Sequence, residues 1–266
     1  MLIIGERINT TRKGLARAVE EKEADPILRE AIEQVEAGAG MLDVNCGTFS
    51  SEAEPEKLAW LVTIVQAATG VPLCIDSPNP AALAAALAVH QGKPMINSIS
   101  GEKRRYESIL PLIKKYQGSV VALGMDDRGI PQEDSQALDV GRTLVENLLA
   151  DDIPIDDIYF DPLVRSLATS PSAVVGTLEL MRTLGSEFPG LHFVSGLSNV
   201  SYGLPERHHL NRAFVVLSVG SGLDAVIMNP LDRTLGALIY AAEALMNKDR
   251  FCLNYIEAYH RGKLKS

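Results

Sequence analysis

Met41-Leu42-Asp43-Val44-Asn45 is a short apolar run that ends on a carboxamide, and the pattern returns at Leu73-Cys74-Ile75-Asp76 and at Met95-Ile96-Asn97-Ser98. Residues 55–68 and 80–90 separate these runs, and each opens on a proline suited to a first helical turn. A short strand, a helix and another short strand make a crossover unit, which joins parallel strands only when at least ~10–12 residues intervene. Working outward, further β-rich runs occupy residues 2–8, 119–125, 158–161, 192–197 and 225–228, which makes eight in all. Marker residues at their ends (Asn9, Asn45, Asp76, Asn97, Met125, Asp161, Asn199, Asn229) are spaced by 36, 31, 21, 28, 36, 38 and 30 residues. Every interval leaves room for a helix. The remaining helices are predicted near residues 26–38, with Asp25 as N-cap and Pro26 in the first turn, and near 103–116, 135–150, 172–184, 210–219 and 231–246.

Eight such alternations with no linker or low-complexity tract predict an α/β fold, a (β/α)8 TIM barrel forming a single domain over residues 1–266. An open doubly wound sheet is the second choice, and it lacks its Gly-x-Gly-x-x-Gly signature. Composition agrees with an ordinary globular protein: 46% hydrophobic, 22% charged. Twenty-five Lys and Arg against 34 Asp and Glu leave a net charge of −9, with no basic tract to follow a phosphate backbone, so nucleic acid is not expected as a partner. The longest apolar run, residues 81–89, is far short of the ~18 residues of a membrane span, and the N-terminus lacks the pattern of a leader. Three widely separated cysteines suggest reduced thiols and a cytoplasmic location.

In either architecture ligands bind beyond the carboxyl ends of the strands, and there the sequence places Glu6, Asn9, Asp43, Asn45, Asp76, Asn97, Asp161, Ser198, Asn199 and Asn229. Any one of these short polar residues is explained by a turn or a cap. Their recurrence at one end of most strands is not, because a barrel gathers them around one mouth. Carboxylates accept paired N–H donors and carboxamides both donate and accept, so the set suits a neutral heterocycle with amide and amino edges and suits phosphate poorly. No metal-ligand spacing is apparent, since His208-His209 are adjacent and read as loop or surface residues. Cys46 reads as an inert buried thiol, Lys103-Arg104-Arg105 as a solvated basic face, and Asp126-Asp127-Arg128-Gly129 as a turn.

Six motifs carry a family likeness: Gly5-Glu6-Arg7-Ile8-Asn9, Leu42-Asp43-Val44-Asn45, Cys74-Ile75-Asp76-Ser77, Met95-Ile96-Asn97-Ser98, Phe160-Asp161-Pro162-Leu163 and Gly196-Leu197-Ser198-Asn199-Val200-Ser201. In this order they resemble the pterin-binding barrels, and most closely the methyltetrahydrofolate:corrinoid protein methyltransferases, which include the folate module of cobalamin-dependent methionine synthase. Dihydropteroate synthase shares the barrel but typically carries Ser-Arg-Lys at the seventh strand, where this chain has Ser198-Asn199-Val200-Ser201. The resemblance implies a one-carbon methyltransferase with tetrahydrofolate or methyltetrahydrofolate as substrate, a corrinoid (cobalamin) carried by a partner protein, no protein-bound metal, and a homodimer. It implies that Asp76, Asn97 and Asp161 hold the pterin and that Asn199 reaches N5, with Asn199 and Asp161 as the catalytic pair. Glu6, Asn9, Asp43, Asn45, Ser198 and Arg207 carry over as motif positions only. A dihydropteroate synthase-like enzyme and a non-catalytic pterin-binding barrel are the alternatives.

Overall fold

The eight apolar runs become eight parallel strands in a computed structural model that describes residues 1–265. They are β1 (Leu2–Asn9), β2 (Met41–Asn45), β3 (Leu73–Asp76), β4 (Met95–Gly101), β5 (Ser119–Asp126), β6 (Ile158–Asp161), β7 (His192–Gly196) and β8 (Ala225–Met228). Each pairs with the next, and β8 pairs with β1, so the sheet closes into a barrel. Successive strand side chains alternate between faces, and this separates two cores. Ile4, Met41, Cys74, Met95, Val121, Val194 and Ala225 fill the barrel interior. Val44, Ile75, Ile96 and Phe160, one position out of step, pack outward against the helices. Each such buried side chain contributes on the order of 1.5–3 kcal/mol of apolar burial.

Among the described residues ten α-helices surround the barrel: α1 (Lys13–Glu20), α2 (Ala24–Ala37), α3 (Glu54–Thr69), α4 (Pro80–Val89), α5 (Lys103–Tyr116), α6 (Asp134–Ala150), α7 (Ala173–Glu187), α8 (Arg207–Val219), α9 (Arg233–Leu245) and α10 (Leu253–His260). Eight match the expected crossovers, and α1 and α10 are additions. At two turns each, they carry too little periodicity to stand out; α1 buries only Leu15, Ala18 and Val19. At α2 the expected cap moves: Glu23 is the N-cap, while Asp25 and Pro26 lie inside the first turn, where backbone N–H groups have no helical acceptor. Gly38 ends that helix at φ 116°, a left-handed conformation that glycine adopts without steric cost. The seventh strand stops at Gly196, and Leu197–Asn199 form a 3-10 turn instead. The apolar run of residues 81–89 lies within α4, and among the described residues no helix is long and apolar enough to cross a membrane.

Candidate functional site

The polar floor follows from strand periodicity. Each of Ile4, Met41, Cys74, Met95 and the partly buried interior residue Tyr159 is followed two positions later by a polar residue on the same face, namely Glu6, Asp43, Asp76, Asn97 and Asp161. Register sets them in a row: Asn9 lies opposite Asn45, Asn45 opposite Asp76, and Asp76 opposite Asn97. A cavity of about 420 Å³ opens above this row, walled by Glu6, Asn9, Thr11, Arg12, Asp43, Asp76, Asn97 and Asn229, among others. Such a volume accommodates a small heterocyclic ligand.

Hydrogen bonds divide the row into contact residues and braces. Asn45 Nδ2 donates to Asp76 Oδ2 at 2.8 Å, and Asn45 Oδ1 accepts from the Gly47 N–H at 2.9 Å. Asn45 is therefore occupied on both sides, and it orients Asp76 so that Oδ1 remains for a ligand donor. Asn97 Nδ2 donates to Asp43 Oδ1 at 3.4 Å, which leaves Asn97 Oδ1 as an acceptor. Asn9 Oδ1 takes the Thr11 N–H and hydroxyl, and Asn229 Oδ1 takes the Leu231 N–H. Both close turns, as the simpler reading of strand-end Asn residues holds.

Electrostatics favour a ligand rich in N–H donors. Burial raises the carboxyl of Asp43 well above its ordinary range, and the neighbouring Asp76 raises it further. Asp76 is also raised by burial, against the pull of the Asn45 bond and the Arg105 charge. Burial raises Glu6, while Arg7 and Arg207 oppose the shift. Asp161, on the opposite arc, is pushed up to about 6 by burial, with only the Leu163 N–H, at 2.8 Å, in compensation. Burial disfavours the ionised form of all four acids, and an N–H donor on a ligand would favour it.

Asp161, Ser198, Asn199 and Arg207 stand outside the walls of the 420 Å³ cavity, at the end of β6, on the 3-10 turn and at the start of α8, all at the same, carboxyl end of the barrel. Ser198 and Asn199 are exposed on the 3-10 turn, and among the described residues the Asn199 carboxamide takes no hydrogen bond. Arg207 braces that turn: its guanidinium donates to the Ser198 carbonyl and, at 3.1 Å, to Ser201 Oγ, which in turn bonds Asn211 at 2.7 Å. Its structural place is that of a positioning residue.

Two residues escaped sequence reasoning. Arg105 belongs to the basic triplet expected to be solvated, yet only Lys103 and Arg104 are exposed. Its guanidinium donates to the carbonyls of Ser98, Pro78 and Ser77 at 2.9, 3.2 and 3.3 Å and to Ser98 Oγ at 3.3 Å. Glu54 is buried and accepts from Ser77 Oγ at 2.6 Å. Neither leaves a local signal, since its partners come from other segments: Ser98 on β4 and the loop after β3 for Arg105, and Ser77 on that same loop for Glu54. Cys46 is buried with its thiol pushed up to about 12, as an inert thiol should be. His208 and His209 lie in the first turn of α8, not in a loop, and with Glu206 they form an exposed group whose ligand atoms lie within 4.8 Å of one another. The positive pole of a helix start makes this a poor cation cradle.

As a class, the molecule is an eight-stranded parallel α/β barrel with a floor of acids and amides at the carboxyl end of its strands. The family described as pterin binding enzyme matches residues 5–229, and the chain belongs to it. Over 266 residues it is 36% identical to the methylcorrinoid:tetrahydrofolate methyltransferase of Eubacterium limosum, covering 99% of this chain and 98% of that protein. It is 26% identical over 242 residues to the methionine synthase of Mycobacterium tuberculosis, covering 86% of this chain and 20% of that protein. Among solved structures, the dihydropteroate synthase of Xanthomonas albilineans with 4-aminobenzoic acid superposes with a TM-score of 0.69 at 21% identity, covering 94% of this chain and 92% of that one. That likeness is one of fold. The chain is a homologue of methylcorrinoid:tetrahydrofolate methyltransferase, an enzyme, along its whole length.

Proposed function

We propose that the protein moves a methyl group between N5 of methyltetrahydrofolate and the cobalt of a corrinoid carried by a separate protein. The row of free acceptors left by the braces, Asp76 Oδ1 and Asn97 Oδ1, is the observation that carries this reading. It complements the ring and exocyclic N–H donors of a reduced pterin, and Asp161 supplies a third acceptor. Glu6 and Asp43 set the field of the floor, and Asn9, Asn45, Ser198 and Arg207 hold the strand ends and turns in place.

When docked, the corrinoid supplies a Co(I) nucleophile or accepts the role of methyl donor. Toward cobalt, N5 enters protonated, the Co(I) electron pair forms the new bond to the methyl carbon, and the N5–CH3 bond breaks with its pair left on N5, which ends as a neutral amine bearing the proton. Toward folate, the N5 pair takes the methyl, the cobalt recovers its pair, and the proton leaves. Asn199 serves both directions, because a carboxamide accepts from protonated N5 and donates to the neutral amine. No side chain needs to become a covalent intermediate. The name of the Eubacterium relative describes transfer toward tetrahydrofolate. A reducing, cytoplasmic setting suits both Co(I) and the free thiols of Cys46, Cys74 and Cys252.

Methyl transfer is tested by mixing the protein, methyltetrahydrofolate and a corrinoid protein and following the cobalt absorbance. Asn199→Ala is expected to slow single-turnover transfer by about 10²–10³-fold while leaving the folate Kd nearly unchanged. Asn97→Ala is expected to weaken folate binding instead. Equal losses of rate and binding in the two variants would refute the assignment of Asn199 to N5.

A further inference from the structure

The walls of the 420 Å³ cavity carry charge of both signs, and the proposed function uses only the acids. Asp43, Asp76 and Asn97 make the floor on β2 to β4, whereas Arg7 and Arg12 stand on β1 and on the turn that follows it. Both guanidinium groups converge on one carboxylate, Glu30 of α2. Arg7 reaches it through Nε and, at 3.2 Å, through Nη2; Arg12 reaches it through Nη1 at 2.8 Å. Two cations on one anion leave a net positive charge. Glu6 and Glu33 also act on Arg7, so the excess lies with Arg12. Its Nη1 donates to the Arg7 carbonyl at 2.8 Å, which fixes the side chain. Among the described residues its Nε and Nη2 take no hydrogen bond, and the side chain is 41% exposed. Lys13, the first residue of α1, is exposed and among the described residues makes no ion pair. The turn that presents both is ordered: Asn9 Oδ1 accepts the Thr11 N–H and hydroxyl, and the Asn9 carbonyl accepts the Arg12 N–H at 3.1 Å.

Nearby cations are committed elsewhere. Arg17 pairs with Glu21, Lys22 with Glu56 and Lys57 with Glu20. At the mouth, Arg128 pairs with Asp126 and Arg165 with Asp134, while Arg207 holds the turn of Asn199. Lys103 and Arg104 are exposed, but they lie outside the cavity walls. Arg12 therefore joins a wall of the cavity with donors free, and Lys13 stands next to it.

A folate carries, on the ring carbon next to N5, a benzoyl spacer and a chain of one or more glutamates, so it ends in two or more carboxylates. The cavity has the volume of a small heterocycle, and the tail must leave it across the rim. A floor of acids, in a chain of net charge −9, repels such a tail where no cation meets it. We propose that Arg12 and Lys13 form a subsite for the glutamate carboxylates of the folate tail, through which the protein prefers folates bearing several glutamates to folates bearing one. The identity of the ligand rests on the proposed function. The Nε–Nη2 edge of Arg12 offers two parallel donors that match one carboxylate, and the flexible ammonium of Lys13 follows the next. Because the subsite is open to water, its contribution is modest and salt weakens it.

Calorimetric titration of the full chain with methyltetrahydrofolate bearing one or three glutamates tests this. The parent is expected to bind the triglutamate about 3–10-fold more tightly at low salt, with the preference shrinking as salt is added. Arg12→Gln/Lys13→Gln should abolish the preference. Lys13→Glu, which alters no contact within the chain, should reverse part of it and keep the parent's melting temperature. Affinity for 6-methyltetrahydropterin, which has the head and no tail, should be the same in the parent and in Lys13→Glu. A parent that binds the two folates equally, variants that keep the preference, or equal loss of the tail-less pterin in Lys13→Glu would overturn the subsite. Loss of the preference in Lys103→Gln/Arg104→Gln, with none in the Lys13 variant, would move the tail to the opposite arc and overturn it too. A parent that prefers the triglutamate but transfers no methyl to a corrinoid protein counts against the proposed function alone. One that transfers methyl without the preference counts against the subsite alone.

Discussion

Asp161 is thinly compensated: among the described residues one backbone N–H is its partner, and its carboxyl is pushed up to about 6. Ligand donors would stabilise the ionised form, so folate affinity should fall as pH drops through about 6. The same shift acts on stability with a definite sign. The unfolded carboxyl loses its proton near 4 and the folded one near 6, so between these values the native state holds more protons and stability falls as pH rises. Asp161→Asn should therefore weaken folate binding about 10-fold or more, flatten its pH profile near 6, and raise the melting temperature at neutral pH but not at pH ~4. Calorimetric titration and melting curves across that range check this. A lower melting temperature at neutral pH would mean that Asp161 serves the turn before Pro162 more than it serves the ligand. Asn45 shows the limit of reading single residues: its place at a strand end was legible, but its engagement by Asp76 and Gly47 depends on a register that only the closed barrel supplies.

At the scale of elements, the Arg105 guanidinium joins the loop after β3 to the strand β4, and so holds Asp76 and Asn97 at a common level. Replacing it with glutamine removes donors from half-buried carbonyls, at about 1–3 kcal/mol for those left unpaired. It also removes the charge that lowers the Asp76 carboxyl. Arg105→Gln should lower the melting temperature and shift the acid limit of folate binding to higher pH. Arg104→Gln, at an exposed position one residue away, should change stability by no more than about 0.5 kcal/mol. Equal behaviour of the two variants would restore the solvated reading of the triplet. The strands and eight of the helices were legible because their apolar periods are long enough to declare a face. The two-turn helices were not: α1 buries three residues and α10 one, so each is defined by what it packs against. The 3-10 turn bearing Asn199 was likewise hidden, since Arg207 and Ser201 brace it from the start of the next helix and from beyond the turn.

For the whole molecule, the barrel keeps stability and chemistry at opposite ends, as TIM barrels generally do. At the base, His192 Nδ1 bonds Asp224 Oδ2 at 2.6 Å, and its ring stacks on Tyr159 with centroids 4.7 Å apart. The bond to Asp224 raises the His192 pKa, with burial opposing and Asp156 and Asp157 adding to the rise. The folded protein thus holds this proton more tightly than the unfolded chain. Its stabilisation is complete below the unfolded value near 6.5 and is lost as pH rises through the higher folded value. His192→Gln should therefore lower the melting temperature at pH ~6 by more than at pH ~9, and leave single-turnover methyl transfer unchanged. Melting curves of parent and variant that run parallel over this range would show that the pair contributes no pH-dependent stability. The mouth and the base then titrate as separate steps: Asp161→Asn removes the one near 6 and His192→Gln the one above 6.5, and only the first alters folate binding.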